Sequence, residues 1–421
     1  MKFLWKKLFK KIGPGFVTGA ADDDPSGIAT YSIAGAKFGL GMSWLSVFLL
    51  PAMIAIQEMC GRLGLITGRG LASIIAKYSS KKVMWFAVLL LGVANTINIG
   101  ANLGIMASSL QMILGLPFFF WLFVVAMGIV ILEIWIPYRI YSESLKWLGC
   151  LLLVYVITAF LVKPDWVEVI NATLVPRISW SMDYVMTLVA FLGTTISPYL
   201  FFWQTSQEVE EEILEKRVVD FNSKPETTGA MIKKMRLDTG IGMFFSNLMT
   251  FFIILTTAYT LNKNGIFEIN GAEDAALALK PLAGEMAYLL FTLGIVGIGL
   301  QAIPVLAGSI AYAFSEAFGI REGLGKSFNK AKGFYLIIAL STMVGVLMNM
   351  LGVNTIRALY YSAVVNGVVA VPLIFIIIRL ADSEKVVGKF RSSNFQRVVA
   401  WLIFGFMLLA VLLMFFNWGS N

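Results

Sequence analysis

Apolar runs of roughly twenty residues recur along this 421-residue chain, each long enough to cross a hydrocarbon core about 30 Å thick. Only 14% of the residues are charged and 58% are hydrophobic, with a mean hydropathy of +0.80. A water-soluble domain carries about 25% charged residues. This chain therefore has too little polar surface to cover itself in water, and lipid must be its solvent. In lipid the backbone has to satisfy its own hydrogen bonds, which leaves helices or a closed barrel. Runs such as 121–133 do not alternate with period two, and that excludes the barrel. The expected fold is an all-α integral membrane protein, one transmembrane domain over residues 1–421.

Hydropathy marks about eleven spans, near 13–39, 40–65, 83–114, 118–135, 145–162, 184–207, 241–261, 286–318, 333–351, 356–380 and 398–416. Basic residues cluster in the loops after even-numbered spans: Arg69, Lys77, Lys81 and Lys82, then Arg139, then Lys216, Arg217, Lys233, Lys234 and Arg236. Later even-numbered loops hold Arg321, Lys326, Lys330 and Lys332, then Lys385, Lys389, Arg391 and Arg397. Loops after odd-numbered spans hold Asp165, Glu168, Glu268 and Asp274 instead. The positive-inside rule then puts the amino terminus in the cytoplasm and the carboxyl terminus outside. Met1 to Lys11 reads as a basic amphipathic lead-in at the cytoplasmic interface. The formal charge of +8 is thus a matter of topology and points to no nucleic acid. Cys60 and Cys150 lie in apolar surroundings, and with no histidine in the chain the commonest transition-metal ligand is missing.

Two spans break the helix rule in the same way. Span 1 contains Asp22-Asp23-Asp24-Pro25-Ser26-Gly27, and span 6 contains Gly193-Thr194-Thr195-Ile196-Ser197-Pro198. Proline removes a donor and clashes with the preceding turn, while glycine tolerates the freed geometry. In a membrane such unwinding survives only where it lines a cavity or is buried in protein. The breaks open two successive five-span units, 13–162 and 184–380, followed by span 11 at 398–416. That is the LeuT-type inverted repeat, with helices 1 and 6 discontinuous and ligand sites at the breaks.

Asp24 is the leading ligand candidate, because a carboxylate inside a span is costly and usually functional. Asp22 and Asp23 read more simply as helix caps at a water-filled mouth, since three adjacent aspartates cannot all face one ion. Thr194 and Ser197 offer hydroxyls, and the unwound backbone around Gly27 offers carbonyls; capping is the competing role for both hydroxyls. Such an all-oxygen site suits hard cations, among which Mg2+ keeps several waters and uses few carboxylates. Asp23, Asn98, Asn102, Tyr199, Gln301 and Asn366 are candidates for an outer layer or a pathway. Asn95, Asn98 and Asn102 share a face of span 3, although interhelical hydrogen bonding explains that face equally well. Glu58, Glu133 and the run Glu208 to Glu212 read as solvated span ends. An intramembrane enzyme built on Asp24 would need a partner acid or nucleophile, and none is placed to serve.

These motifs resemble the Nramp family of divalent-metal transporters. Gly13-Pro14-Gly15-Phe16 followed by Asp24-Pro25 looks like the family's GPGF and DPGN elements, and 62–69 looks like its RLG-x-x-TG segment. Asp165-Trp166 and 382–385 also fit. Three departures stand out. Gly27 replaces the DPGN asparagine, Thr194 to Tyr199 replace the A-x-x-M-P-H element, and Ile99 and Asn102 stand where the family has an acidic pair. Those departures are similar to the prokaryotic Nramp-related magnesium transporters. The resemblance implies a multi-pass carrier in a prokaryotic cell membrane, moving Mg2+ and also Mn2+ by alternating access without protons. Its partners would be the divalent ion and the lipid bilayer, with no cofactor and no protein partner indicated. The alternatives are a proton-coupled Mn2+ or Fe2+ importer of the same family, or a LeuT-fold importer of a small organic substrate.

Overall fold

The computed structural model describes residues 13–136 and 149–419, all helix and connecting loop with no strand among them. The lead-in Met1 to Lys11, Arg139, the start of span 5 and the Cys150 side chain lie outside the described residues. Among the described residues, eight helices are long and apolar enough to cross a membrane, and they are spans 3, 4 and 6 to 11. Span 1 is two shorter helices, Pro14–Asp22 and Pro25–Phe38, here called 1a and 1b. Span 2 enters through short turns at Gly39–Met42 and Trp44–Phe48 before running as Leu50–Thr67. Span 5 is described over Gly149–Leu152 and Leu153–Leu161, and span 6 divides into 6a, Met182–Thr195, and 6b, Pro198–Leu214. Both breaks fall where the Pro and Gly signals place them.

Span 7 differs from the sequence expectation. Its helix covers Gly229–Thr260, so Lys233, Lys234 and Arg236 are helical rather than in a loop. The cause is local: the Thr228 side chain caps the new amino end by accepting from the Met231 N–H at 3.4 Å.

The packing shows the repeat directly. Span 1 packs against span 7, and span 6 packs reciprocally against span 2; span 5 meets span 7 as span 10 meets span 2. Spans 3 and 8, equivalent in the two halves, pack on each other. These swaps are what an inverted LeuT-type repeat requires. Several seams bring backbones into direct contact through glycine, as small-residue membrane interfaces do. A Cβ on Gly19 would sit 2.3 Å from the Gly242 carbonyl of span 7. On Gly64 it would sit 2.1 Å from the Thr205 carbonyl of 6b, and on Gly193 of 6a, 2.2 Å from the Gly367 nitrogen of span 10.

Buried polar groups depart furthest from the sequence reading. Glu58 is fully buried rather than solvated, paired with Arg62 at 3.3 Å and Arg236 at 3.0 Å and accepting from Gln396 at 2.9 Å. Arg62 also reaches the Phe390 carbonyl and Ser392. Glu133, Glu208, Glu210 and Glu212 are buried as well. Tyr312 of span 8 donates to Glu210 at 2.8 Å, and Gln204 donates to Glu208 at 2.8 Å. Hydropathy could not reveal this, because the covering surfaces come from spans far away in sequence. Cys60 packs as a buried free thiol, as expected.

Candidate metal site at the two breaks

The break in span 1 is built by Asp24 itself. Its backbone is extended (φ −68°, ψ 169°), and Pro25 opens helix 1b at a position where a missing N–H costs nothing. Its Oδ1 accepts from the Gly27 N–H at 2.8 Å and from Ser26 Oγ at 2.6 Å, capping 1b. Its Oδ2 accepts from the side-chain amides of Asn98 and Asn102, both at 3.1 Å, reaching in from span 3. The Asn98 carbonyl is in turn met by Ser362 Oγ of span 10 at 3.2 Å. Asp24 is thus a buried carboxylate held by neutral donors, with no lysine or arginine among its partners in the described residues.

Gly27 brings the two breaks together. A Cβ there would lie 3.1 Å from Thr194 Oγ1, 3.3 Å from Tyr31 and 3.5 Å from the Asp22 carbonyl oxygen. The Thr194 hydroxyl is buried and has no hydrogen-bond partner. Ser197 does the other thing expected of it: it donates back to the Gly193 and Thr194 carbonyls, at 2.7 and 2.8 Å, and caps 6a. Its lone pairs, not its proton, are what it can offer an ion. Tyr199 donates to the Ala21 carbonyl at 2.9 Å, tying 6b to the last turn of 1a.

The other candidates divide cleanly. Asn98 and Asn102 touch Asp24 directly. Gln301 of span 8 and Asn366 of span 10 are buried with neither amide atom partnered, and neither is hydrogen-bonded to the Asp24 cluster. Asp22 and Asp23 are not at a water-filled mouth. Both are wholly buried and share one hydroxyl, Ser246 of span 7, at 2.7 and 3.2 Å. The glycine seam between 1a and span 7 explains this, because it draws span 7 over the end of 1a. Ser246 was not singled out from sequence, and neither were Ser26 and Ser362. A lone serine in an apolar run carries no signal until its neighbour is known. No group of three or more His, Cys, Asp or Glu side chains that could hold a metal occurs among the described residues.

A family model for Natural resistance-associated macrophage protein-like (Nramp) proteins matches residues 15–417. The chain belongs to the Nramp family. Its relatives include the divalent metal cation transporter MntH of Bacillus subtilis, 26% identical over 95% of this chain and 90% of that protein. The MntH of Caldanaerobacter subterraneus is 24% identical over 96% of this chain and 92% of its own. The fold of this Nramp chain matches the manganese transporter of Eremococcus coleocola with a TM-score of 0.76, at 17% identity over 99% of this chain and 87% of the other. It also matches Mhp1, a nucleobase-cation-symport-1 family transporter, with a TM-score of 0.62 at 13% identity over 96% and 91% of the two chains. Likeness at these identities concerns the fold, and it agrees with the two broken, inverted halves of this Nramp chain. It is a multi-pass membrane transporter.

Proposed function

We propose that this Nramp protein carries hard divalent cations, Mg2+ and with it Mn2+, across the membrane by alternating access. The observation that carries this reading is the donor set where the breaks meet: the Asp24 carboxylate, the unpartnered Thr194 hydroxyl, and the Asp22 carbonyl beside Gly27. Oxygen donors around a single carboxylate suit ions that keep part of their water. A softer ion would gain from sulfur or imidazole, and residues 22–27 and 193–199 contain neither. In this reading an entering ion takes Asp24 Oδ2 from the two amides, which turn their carbonyls toward it or toward its water.

Transport without protons rests on the same geometry. The groups meeting Asp24 from span 3 are carboxamides, which do not titrate. Membrane potential alone suffices as a driving force, since 100 mV acting on two charges supplies about 4.6 kcal/mol. The basic loops support a cytoplasmic amino terminus and an external carboxyl terminus, so the inside-negative potential would drive uptake.

A proton-coupled Mn2+ or Fe2+ importer is the second reading. The relatives' names favour it, as they are divalent metal cation transporters and a manganese transporter rather than magnesium carriers. The buried Asp22 and Asp23 are the carboxylates it would have to use. Influx into proteoliposomes at fixed potential, with internal pH followed in parallel, separates the two. Mg2+ entry with a silent pH signal supports the uncoupled reading. Proton-linked Mn2+ entry without Mg2+ entry would overturn it.

A further inference from the structure

Far from the breaks, on the face that the basic loops put in the cytoplasm, lies a cavity of about 470 Å³. Its walls come from three separate connections, those after spans 2, 6 and 10, the first and last of them including the short helices Leu71–Tyr78 and Glu384–Val387. Arg69 and Lys77 line it from the first, Lys224 from the second, and Lys385 and Lys389 from the third. Glu384 is the one acidic wall residue among the described residues, and Arg391 holds that carboxylate at 3.2 Å. Arg69 donates to the neutral Asn222 at 2.6 Å. Lys77 and Lys389 lie over the rings of Tyr78 and Phe390, at 5.1 and 5.3 Å. None of the five wall cations forms an ion pair among the described residues, and of the carboxyls beyond the wall that of Glu316 lies near Arg69.

Topology alone does not explain this arrangement. The positive-inside rule asks for lysine and arginine anywhere in a cytoplasmic loop. It does not ask cations from three connections to converge on one cavity, where like charges repel. We propose that the cavity is a binding site for a phosphate-bearing polyanion. One guanidinium fork and four ammonium groups match phosphate oxygens in geometry and charge. The volume lies in the range of small-molecule sites and exceeds what one inorganic phosphate fills. A free nucleotide and the headgroup of an anionic lipid present the same chemistry. Either would tie the connections after spans 2, 6 and 10 to one another.

The test uses the full-length protein in buffer free of divalent ions, so that the cargo site stays out of the measurement. Calorimetry with ADP and with pyrophosphate, in detergent, probes a free anion. Melting in nanodiscs with and without cardiolipin probes a headgroup. The variant combines Lys224→Gln, Lys385→Gln and Lys389→Gln. A control of equal charge combines Lys82→Gln, Lys233→Gln and Lys330→Gln, which lie outside the cavity. Each lysine removed from the cavity should weaken binding about fivefold. The three together should cost about a hundredfold, with the control unchanged. ADP or pyrophosphate binding lost only in the cavity variant identifies a free anion as the ligand. Cardiolipin stabilisation lost only in that variant identifies a lipid headgroup. No binding in either arm of the unaltered protein overturns the proposal, and so does an equal loss in the two variants. Size exclusion and melting without ligand show that both variants are folded.

Discussion

Replacing Asp24 by asparagine changes one atom at the centre of the candidate site, and the outcome can be worked out from its neighbours. Both carboxylate oxygens accept: Oδ1 from Ser26 and Gly27, Oδ2 from Asn98 and Asn102. The new amide has one oxygen and one NH2 group. Turned one way, its NH2 faces two other amide nitrogens from about 3.1 Å; turned the other way, it faces the Gly27 N–H. Two hydrogen bonds to a charged acceptor are lost in either case, each worth about 1.5–3 kcal/mol. For the ion the loss is that of its one carboxylate. Removing one partner of a buried charge pair costs about 2–5 kcal/mol, or about 30- to 4,000-fold in affinity. Calorimetric titration of Mg2+ and Mn2+ into purified protein reads that loss, and proteoliposome uptake at fixed potential should fall to background. Asn102→Ala is the comparison. It keeps the carboxylate and removes one amide that competes for it, so affinity should change by less than about tenfold. If folded Asp24→Asn protein binds either ion within about threefold of the unaltered protein, Asp24 is not the ligand and the site lies elsewhere.

Four further outcomes follow from other parts of the molecule. Gly64→Ala should abolish transport and lower the yield of folded carrier, because its Cβ would lie 2.1 Å from the Thr205 carbonyl and spans 2 and 6b would have to part by more than about 1 Å. Gly128→Ala, where nothing lies within 4 Å, should leave uptake and melting intact. Gly27→Asn with Ser197→Met should shift competition for uptake from Mg2+ toward softer ions, and unchanged selectivity would mean that the ligand types at 27 and 197 do not set it. Glu58→Gln strands the buried Arg62 without its ion-pair partner, a change that costs about 3–5 kcal/mol; melting in detergent should fall by several degrees, and an unchanged midpoint would show the network to be dispensable. Outside the membrane, Tyr259 and Lys263 hydrogen-bond Glu168 and hold its carboxyl below the usual range. That depressed value stabilises the fold above the ordinary carboxylate pKa, and the contribution is lost as pH falls through the folded one. Because the pair is exposed, the effect is below about 1 kcal/mol; Glu168→Gln should shift the pH 7 midpoint only slightly, and the shift should vanish in acid.

The sequence was informative about whatever depends on one stretch of chain. Pro25 and Pro198 break their helices for local reasons, so both breaks could be read directly, and capping was the competing role for Ser197; the cap that Asp24 provides was expected of Asp22 and Asp23 instead. Asp24 was singled out as the leading ligand candidate from its cost in lipid. What depends on neighbours from another span could not be read. Asn98 and Asn102 were recognised as one face, but that they meet Asp24 is a fact about how spans 1 and 3 pack. Asp22, Asp23, Glu58 and Glu208 looked solvated because charge ordinarily is. Arg62 and Gln204 sit one helical turn from Glu58 and Glu208 on the same helices, but Ser246, Arg236 and Gln396 come from other spans, and those partners only the folded arrangement supplies.

The glycine seams also say where such a carrier can bend. Helix 6a is welded backbone to backbone to span 10 at Gly193 and Gly367, while 6b is welded to span 2 at Gly64 and Thr205. Contacts that close admit no sliding without the main chains separating, so each pair behaves as one stiff lever. The covalent link between the two levers is the unwound Ile196 and Ser197. Thr194 rides at the tip of one lever and Tyr199 at the root of the other, gripping the Ala21 carbonyl next to Asp22. Any change in the angle between the levers is therefore taken up at the break beside Thr194 and Asp24, so on the proposed reading the joint of the machine and the seat of its passenger are the same place.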